Sequence, residues 1–168
     1  MEMLNYRSPW VRLPVTLLPA IFVALVILTV VFSINYPGGA YYRIFGAAPI
    51  AAMFGMVYDN QAIVVAAFLI TGVPWWYLIG WIGGARTEAK IGKGGLLLGA
   101  ALAAFTSWSI ISLTPSAIRQ DARERHLLLA ATVQYSLLAA LCLGAIVSAV
   151  TALASTFASQ SKLPDAGE

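Results

Sequence analysis

The chain has 168 residues, 60% of them hydrophobic and 10% charged, with a formal net charge of +3. Soluble domains average about 45–50% apolar and about 25% charged residues, so a domain of this size could not hide so much apolar surface. The basic residues are scattered, without the tracts and interleaved aromatics of a nucleic-acid reader, and the single cysteine, Cys142, excludes an intrachain disulfide or a CxxC centre.

Four runs carry no charged residue: Leu13 to Tyr42, Asn60 to Ala85, Gly94 to Ile118 and Leu127 to Ser161. Each exceeds the ~18–20 residues that cross ~30 Å of hydrocarbon as a helix. The expected fold is therefore all-α: a polytopic helical membrane protein with four transmembrane helices at about 14–34, 62–83, 94–113 and 127–150. One short apolar segment, 44–58, is expected to be interfacial or re-entrant. Residues 1–158 form a single membrane domain, and 159–168 read as a disordered polar tail.

In the first run, Arg7 and Arg12 precede the apolar stretch, and Gly38 and Ala40 follow at a spacing like that of a signal-peptide cleavage site. The stretch from Leu13 to Ile34 is longer than the ~7–15 residues of a signal core, so it reads as an uncleaved span. Pro14 suits a first helical turn. Pro19 is expected to bend the helix, and the turn residues of Asn35–Gly39 to end it. Ile44 to Tyr58 is apolar, but at about 22 Å of helix it is short for a crossing, and Pro49 and Gly55 weaken it further. Arg43 lies at one end of it, and Asp59, Asn60 and Gln61 form a polar tip at the other. That tip is either an ordinary loop or, if the segment is re-entrant, part of a cavity lining.

The second long span contains Thr71–Gly84, with three of the chain's five tryptophans. Trp81 and Tyr77 are four apart and near the span's end, as an interfacial aromatic belt requires. Gly72, Pro74, Trp75 and Trp76 lie deeper and read as a kink or binding elbow, because Pro74 removes the bond to the Ile70 carbonyl. The third span is expected to stop at Thr114–Ser116, with Ser116 capping a polar helix that runs on into the last span. Asp121 and Arg125 are four apart with the acid first, the favourable order. His126 is a boundary residue, conceivable as a pH sensor beside Arg125.

Gly95, Gly99, Ala103 and Ser107 recur every fourth residue, as do Ala140, Gly144, Ser148 and Ala152. Small residues at this spacing let membrane helices approach closely. These eight are the helix-packing candidates, expected to meet each other or a second copy of the chain. Thr71, Thr106, Ser107, Ser109, Ser112, Gln134, Tyr135, Ser136, Ser148 and Thr151 are mild polar groups within the spans. They suit hydrogen bonds between helices or, on a sharper reading, a pore lining.

No catalytic, cofactor-binding or metal-binding residue is assigned, and no cofactor is expected. All seven acids fall in loops, tails or segment ends, which argues against a carrier with its own proton relay. One histidine, His126, cannot make a bis-histidine site, and no nucleophile-elbow, Walker or zinc-protease pattern occurs. Three readings of function follow. The first is a non-enzymatic accessory, structural or self-associating membrane subunit. The second is a small transporter or channel with a path between protomers or around Pro74. The third is a headgroup-level enzyme built on Arg119, Asp121, Arg123, Glu124, Arg125 and His126. The expected partners are the lipid bilayer and either further copies of the chain or other membrane subunits, with no nucleic acid. With four spans, Arg7, Arg12, Arg86, Lys90, Lys93 and Lys162 face one side and Arg43, Arg119, Arg123 and Arg125 the other. The positive-inside rule then puts both termini in the cytoplasm, in a bacterial inner membrane.

Overall fold

The structure, a computed structural model, describes residues 9–35, 44, 46–55, 60–84, 93–121 and 125–160. Among these the chain is all-helical: α1 (Pro9–Asn35), α2 (Pro49–Gly55), α3 (Gln61–Gly84), α4 (Lys93–Asp121) and α5 (Arg125–Gln160). Two helices contain stretches long and apolar enough to cross a membrane, Gln61–Gly83 in α3 and Ala131–Ser155 in α5. Shorter apolar stretches, Val15–Val31 and Leu97–Ser112, lie within α1 and α4.

Two helix boundaries differ from those read in the sequence. Pro9, rather than Pro14, occupies the first position of α1, where its missing N–H is harmless. Thr114-Pro115-Ser116 does not end α4, which continues to Asp121. A proline removes one backbone bond, whereas stopping a helix exposes several polar groups at once, a larger loss in apolar surroundings. The described residues are helical through to Asp121, and Ser116 is therefore not a cap. At the start of α3 the sequence rule does apply. The Ala62 N–H donates to Asn60 Oδ1 at 3.0 Å and the Val64 N–H to the Asn60 carbonyl at 3.1 Å, the geometry of an N-cap.

Side-chain contacts fix the directions of the helices. Gly144 of α5 lies against Leu18 of α1, and Gln134 bonds Thr29 of α1. Rising along α1 thus means descending α5, and the two are antiparallel. Gly99 against Ile82, and Thr106 bonded to Trp75, make α3 and α4 antiparallel in the same way. Gly83 against Ser148 sets α3 beside α5. Helical rise then gives the levels of the ends. From these contacts it is about 26 Å to Asn35, about 29 Å to Arg125, about 21 Å to Gln61 and about 23 Å to Asp121. Since Gln61 and Arg125 stand about 33 Å and about 35 Å from the Gly83–Ser148 contact, all four ends share one level. The chain between Asn35 and Asn60 therefore leaves and returns at the same end of the bundle.

α3 and α5 form the central pair, and each packs against both α1 and α4, while α2 packs on α3. The core gathers Leu18, Phe22 and Leu25 of α1, Phe68, Trp76 and Ile79 of α3, Ile110 of α4, and Leu138 and Leu141 of α5. Ile44, Ala47, Ala48 and Ala51 also belong to it, whereas Ile50 and Met53 of α2 are exposed. The described outer surface is strongly apolar: Ile70, Trp108, Leu129 and Leu143 are 63–76% exposed, while Gln134, Thr29, Thr106 and Ser148 are buried within the largely apolar core.

Candidate functional site at the tryptophan elbow of α3

Two adjacent indoles of α3 reach different neighbours because successive helical residues point about 100° apart. The Trp75 Nε1–H donates to Thr106 Oγ1 of α4 at 3.1 Å, and the Trp76 Nε1–H to the Ala47 carbonyl at 2.7 Å. Trp76 is fully buried. Ala47 precedes α2, so its carbonyl lies ahead of that helix's ladder and requires an outside donor. One turn before, Gly72 leaves room for the Phe22 ring of α1, which a Cβ there would strike. Gly46 is seated directly on α4: a Cβ would lie 2.7 Å from the Ser109 carbonyl carbon and 2.8 Å from its oxygen. Gly72, Trp75 and Trp76 thus meet α1, α4 and the 46–55 segment respectively, and Pro74 sits exposed between them.

A threonine relay occurs twice. The Thr106 hydroxyl accepts from Trp75 and donates to the Leu102 carbonyl at 2.8 Å. Gln134 Nε2–H donates to Thr29 Oγ1 at 3.2 Å, and that hydroxyl donates to the Leu25 carbonyl at 2.8 Å. A hydroxyl has one proton and two lone pairs. Giving the proton to its own helix one turn back leaves a lone pair for a neighbouring helix. Thr71, Ser109, Ser112, Ser136 and Thr151 also donate one turn back, to Ala67, Phe105, Trp108, Thr132 and Val147. Of the polar candidates, Thr106 and Gln134 are seen to bond across helices. Thr29, the acceptor for Gln134, was absent from the sequence-derived set. Its signal was a lone polar residue in the middle of an apolar run. Ser107 Oγ and Ser148 Oγ are buried without a hydrogen-bond partner.

The chain matches no protein-family model, no curated protein and no solved structure.

At the described glycines of the two small-residue series, the nearest neighbours come from α3 and α1. Gly99 lies against Ile82 of α3, and Gly144 against Leu18 of α1. Ser148 meets Gly83 of α3, whose Cβ position would fall on the Ser148 backbone. The physical reason is that α3 and α1 supply the large or closely fitting partners at those levels. Ala103, Ser107 and Ala152 are buried and Ala140 is half-buried. Gly95 lies in α4, with its surroundings outside the described residues.

Of the polar tip, Asn60 is the N-cap of α3 and Gln61 is exposed at its first position. Arg43 and Asp59 lie outside the described residues, as do residues 45 and 56–58 of the short segment. Arg123 and Glu124 also lie outside them, and Arg119, Asp121, Arg125 and His126 are placed only as helix positions at one end of the bundle. Among the described residues no group of three or more His, Cys, Asp or Glu side chains gathers. Tyr77 and Trp81 are exposed, 53% and 42%, on the outward side of α3.

Proposed function

We propose that the chain is a four-span integral membrane protein with α1, α3, α4 and α5 as its spans, serving as a non-catalytic accessory or structural subunit. The observation that carries this reading is the apolar outer surface of the long helices: Ile70, Trp108 and Leu143 face outward, while Gln134 and Thr29 are buried and bonded. In water such an outer surface would far exceed the few hundred Å² of contiguous apolar patch that monomers tolerate. In lipid it needs no cover. Helices α1 and α4, with 27 and 29 residues, are about 40 Å and about 43 Å long, enough for a bilayer. The interior polar groups are engaged in joining helices, which supports a packing role for them. The partners would be further copies of the chain or other membrane subunits, in a bacterial inner membrane with both termini cytoplasmic.

The test is purification from native membranes in mild detergent, with identification of what accompanies the chain. A stoichiometric membrane partner or a defined homo-oligomer supports this reading. A lone monomer that moves a solute into liposomes overturns it. That second reading, a small transporter or channel, draws on one specific feature, a short 3-10 turn at Gly46–Ala47 whose Ala47 carbonyl is bonded to Trp76 within α3.

A further inference from the structure

We propose that residues 46–55 form a re-entrant gate, held closed in mid-membrane by the Trp76 indole and released when α3 bends at Pro74. The proposal rests on the membrane reading above. Two independent contacts place the tip of the segment. Trp76, which bonds Ala47, is fifteen residues from Gln61, or about 23 Å below the shared helix ends. Ser109, which seats Gly46, is twelve residues from Asp121, or about 18 Å below them. α3 is about 35 Å long from Gln61 to Gly84, so the tip stands near half its length. The seven residues of α2 cover only about 10 Å, too little to cross. Since Asn35 and Gln61 are level, the segment enters and returns at the same end.

Backbone outside a helix is tolerated at this depth only if protein buries it or water reaches it. Here protein buries it: Ile44, Ala47, Ala48 and Ala51 are at most 2% exposed. The outer side of α2, with Ile50 and Met53, faces lipid. Trp76 supplies the donor for the Ala47 carbonyl, and glycine at 46 allows the tip to rest on the Ser109 backbone. Pro74 divides α3 above that latch. The Gly72 contact with Phe22 holds the upper part to α1, whereas the lower part carries both indoles. A bend at Pro74 that draws the Trp76 indole away from the Ala47 carbonyl would break the latch and leave the tip resting only on Ser109. The crevice so opened between α3 and α4 would be lined by Trp75, Trp76, Thr106, Ser109 and the Ala47 carbonyl. These are neutral hydrogen-bonding groups, suited to admitting water into the crevice.

Single cysteines test this in the full chain, in native membranes, on a Cys142→Ser background. The positions are Ala47→Cys at the tip, Asn60→Cys at the helix end and Ile70→Cys on the lipid side, and the probe is a membrane-impermeant maleimide. Asn60→Cys is expected to react fast and Ile70→Cys not to react. Ala47→Cys should react at least about tenfold more slowly than Asn60→Cys. Adding Trp76→Phe, which removes only the latch donor, should raise the Ala47→Cys rate by about tenfold, the effect of losing one buried hydrogen bond. Gly46→Ala should do the same by pushing the tip off Ser109, and it serves if Trp76→Phe fails to fold. An unmodified tip that reacts as fast as Asn60→Cys, or a rate unchanged by either variant, overturns the gate. Fast reaction at Ile70→Cys instead overturns the membrane reading.

Discussion

Gly83 is where two backbones come closest, and Gly83→Ala is the sharpest test of the packing. The new methyl would fall on the Ser148 Cα and Cβ and 2.5 Å from its carbonyl carbon. Carbon atoms prefer about 3.5–4.0 Å, so α3 and α5 must part locally by roughly 1 Å or more. Backbone cannot rotate out of the way as a side chain can. A gap of 0.5–1 Å already forfeits about a quarter to a half of each contact's attraction, and overpacking of this kind costs about 1–3 kcal/mol. Alanine returns roughly 0.8–1.0 kcal/mol of helix propensity. The expected net loss is about 0–2 kcal/mol, towards the upper end because the neighbour is backbone. Gly144→Ala is the matched control, because its methyl meets only the Leu18 side chain, which can change rotamer at about 0.5–1.5 kcal/mol. Propensity offsets that, so the control should be near neutral. Unfolding in mixed micelles by titration with a denaturing detergent measures both. A Gly83→Ala protein as stable as Gly144→Ala would refute the backbone contact and, with it, the level assigned to α3 against α5.

The relays predict that Thr29→Val and Gln134→Leu each destabilise the fold, with a coupling of about 0.6 kcal/mol and at most about 1.7 in a double-mutant cycle; additive effects would mean that the bond contributes nothing. Ser107→Ala and Ser148→Ala should be neutral or stabilising by up to about 1 kcal/mol, since each removes a buried hydroxyl without a partner, and a clear loss on detergent unfolding would point to a bound group on that hydroxyl. Gly99→Leu and Gly144→Leu should lower the stability of the single chain, because their neighbours Ile82 and Leu18 lie within it. If they change only the oligomeric state on size-exclusion chromatography, those glycines face a second copy instead. Tyr77→Ala, at an exposed position, should shift stability by no more than about 0.5 kcal/mol in the same titration.

The sequence makes the long helices legible because apolar run length is a one-dimensional property, and α3 and α5 follow directly from it. It also exposes the elbow at Gly72–Trp76, since glycine, proline and tryptophan are rare enough together to stand out. The partners of that elbow are not legible. Nothing in the chain's order shows that Trp76 would meet Ala47, twenty-nine positions earlier. The four-residue repeats read as shallow faces, but a shallow face specifies only that something comes close. Gly99 and Gly144 could as well have faced each other, and the large residues Ile82 and Leu18 took those places. Pro115 shows the opposite error. Read locally, it is a stop signal, yet in an apolar stretch the intact helix is the better state for the rest of the backbone.

What joins these observations is the role of α3. Between helices in lipid there is no hydrophobic drive, so association depends on close contact and on hydrogen bonds. Contact requires small residues and bonding requires donors, and α3 supplies both on different sides. Gly72 admits Phe22 of α1, Gly83 admits the α5 backbone, Trp75 bonds α4, and Trp76 bonds the segment before α2. Every other element is thus registered against one helix, and that helix contains a proline between its first attachment and the other three. α3 is continuous from Gln61 to Gly84, but Pro74 removes the backbone bond to the Ile70 carbonyl, so a bend there would shift the attachments below it while keeping the one above. The smallest movement that changes the bundle is therefore a bend at Pro74, and the shortest element attached below it is the seven-residue α2. If this bundle has a moving part, its construction places it at the segment that Trp76 holds.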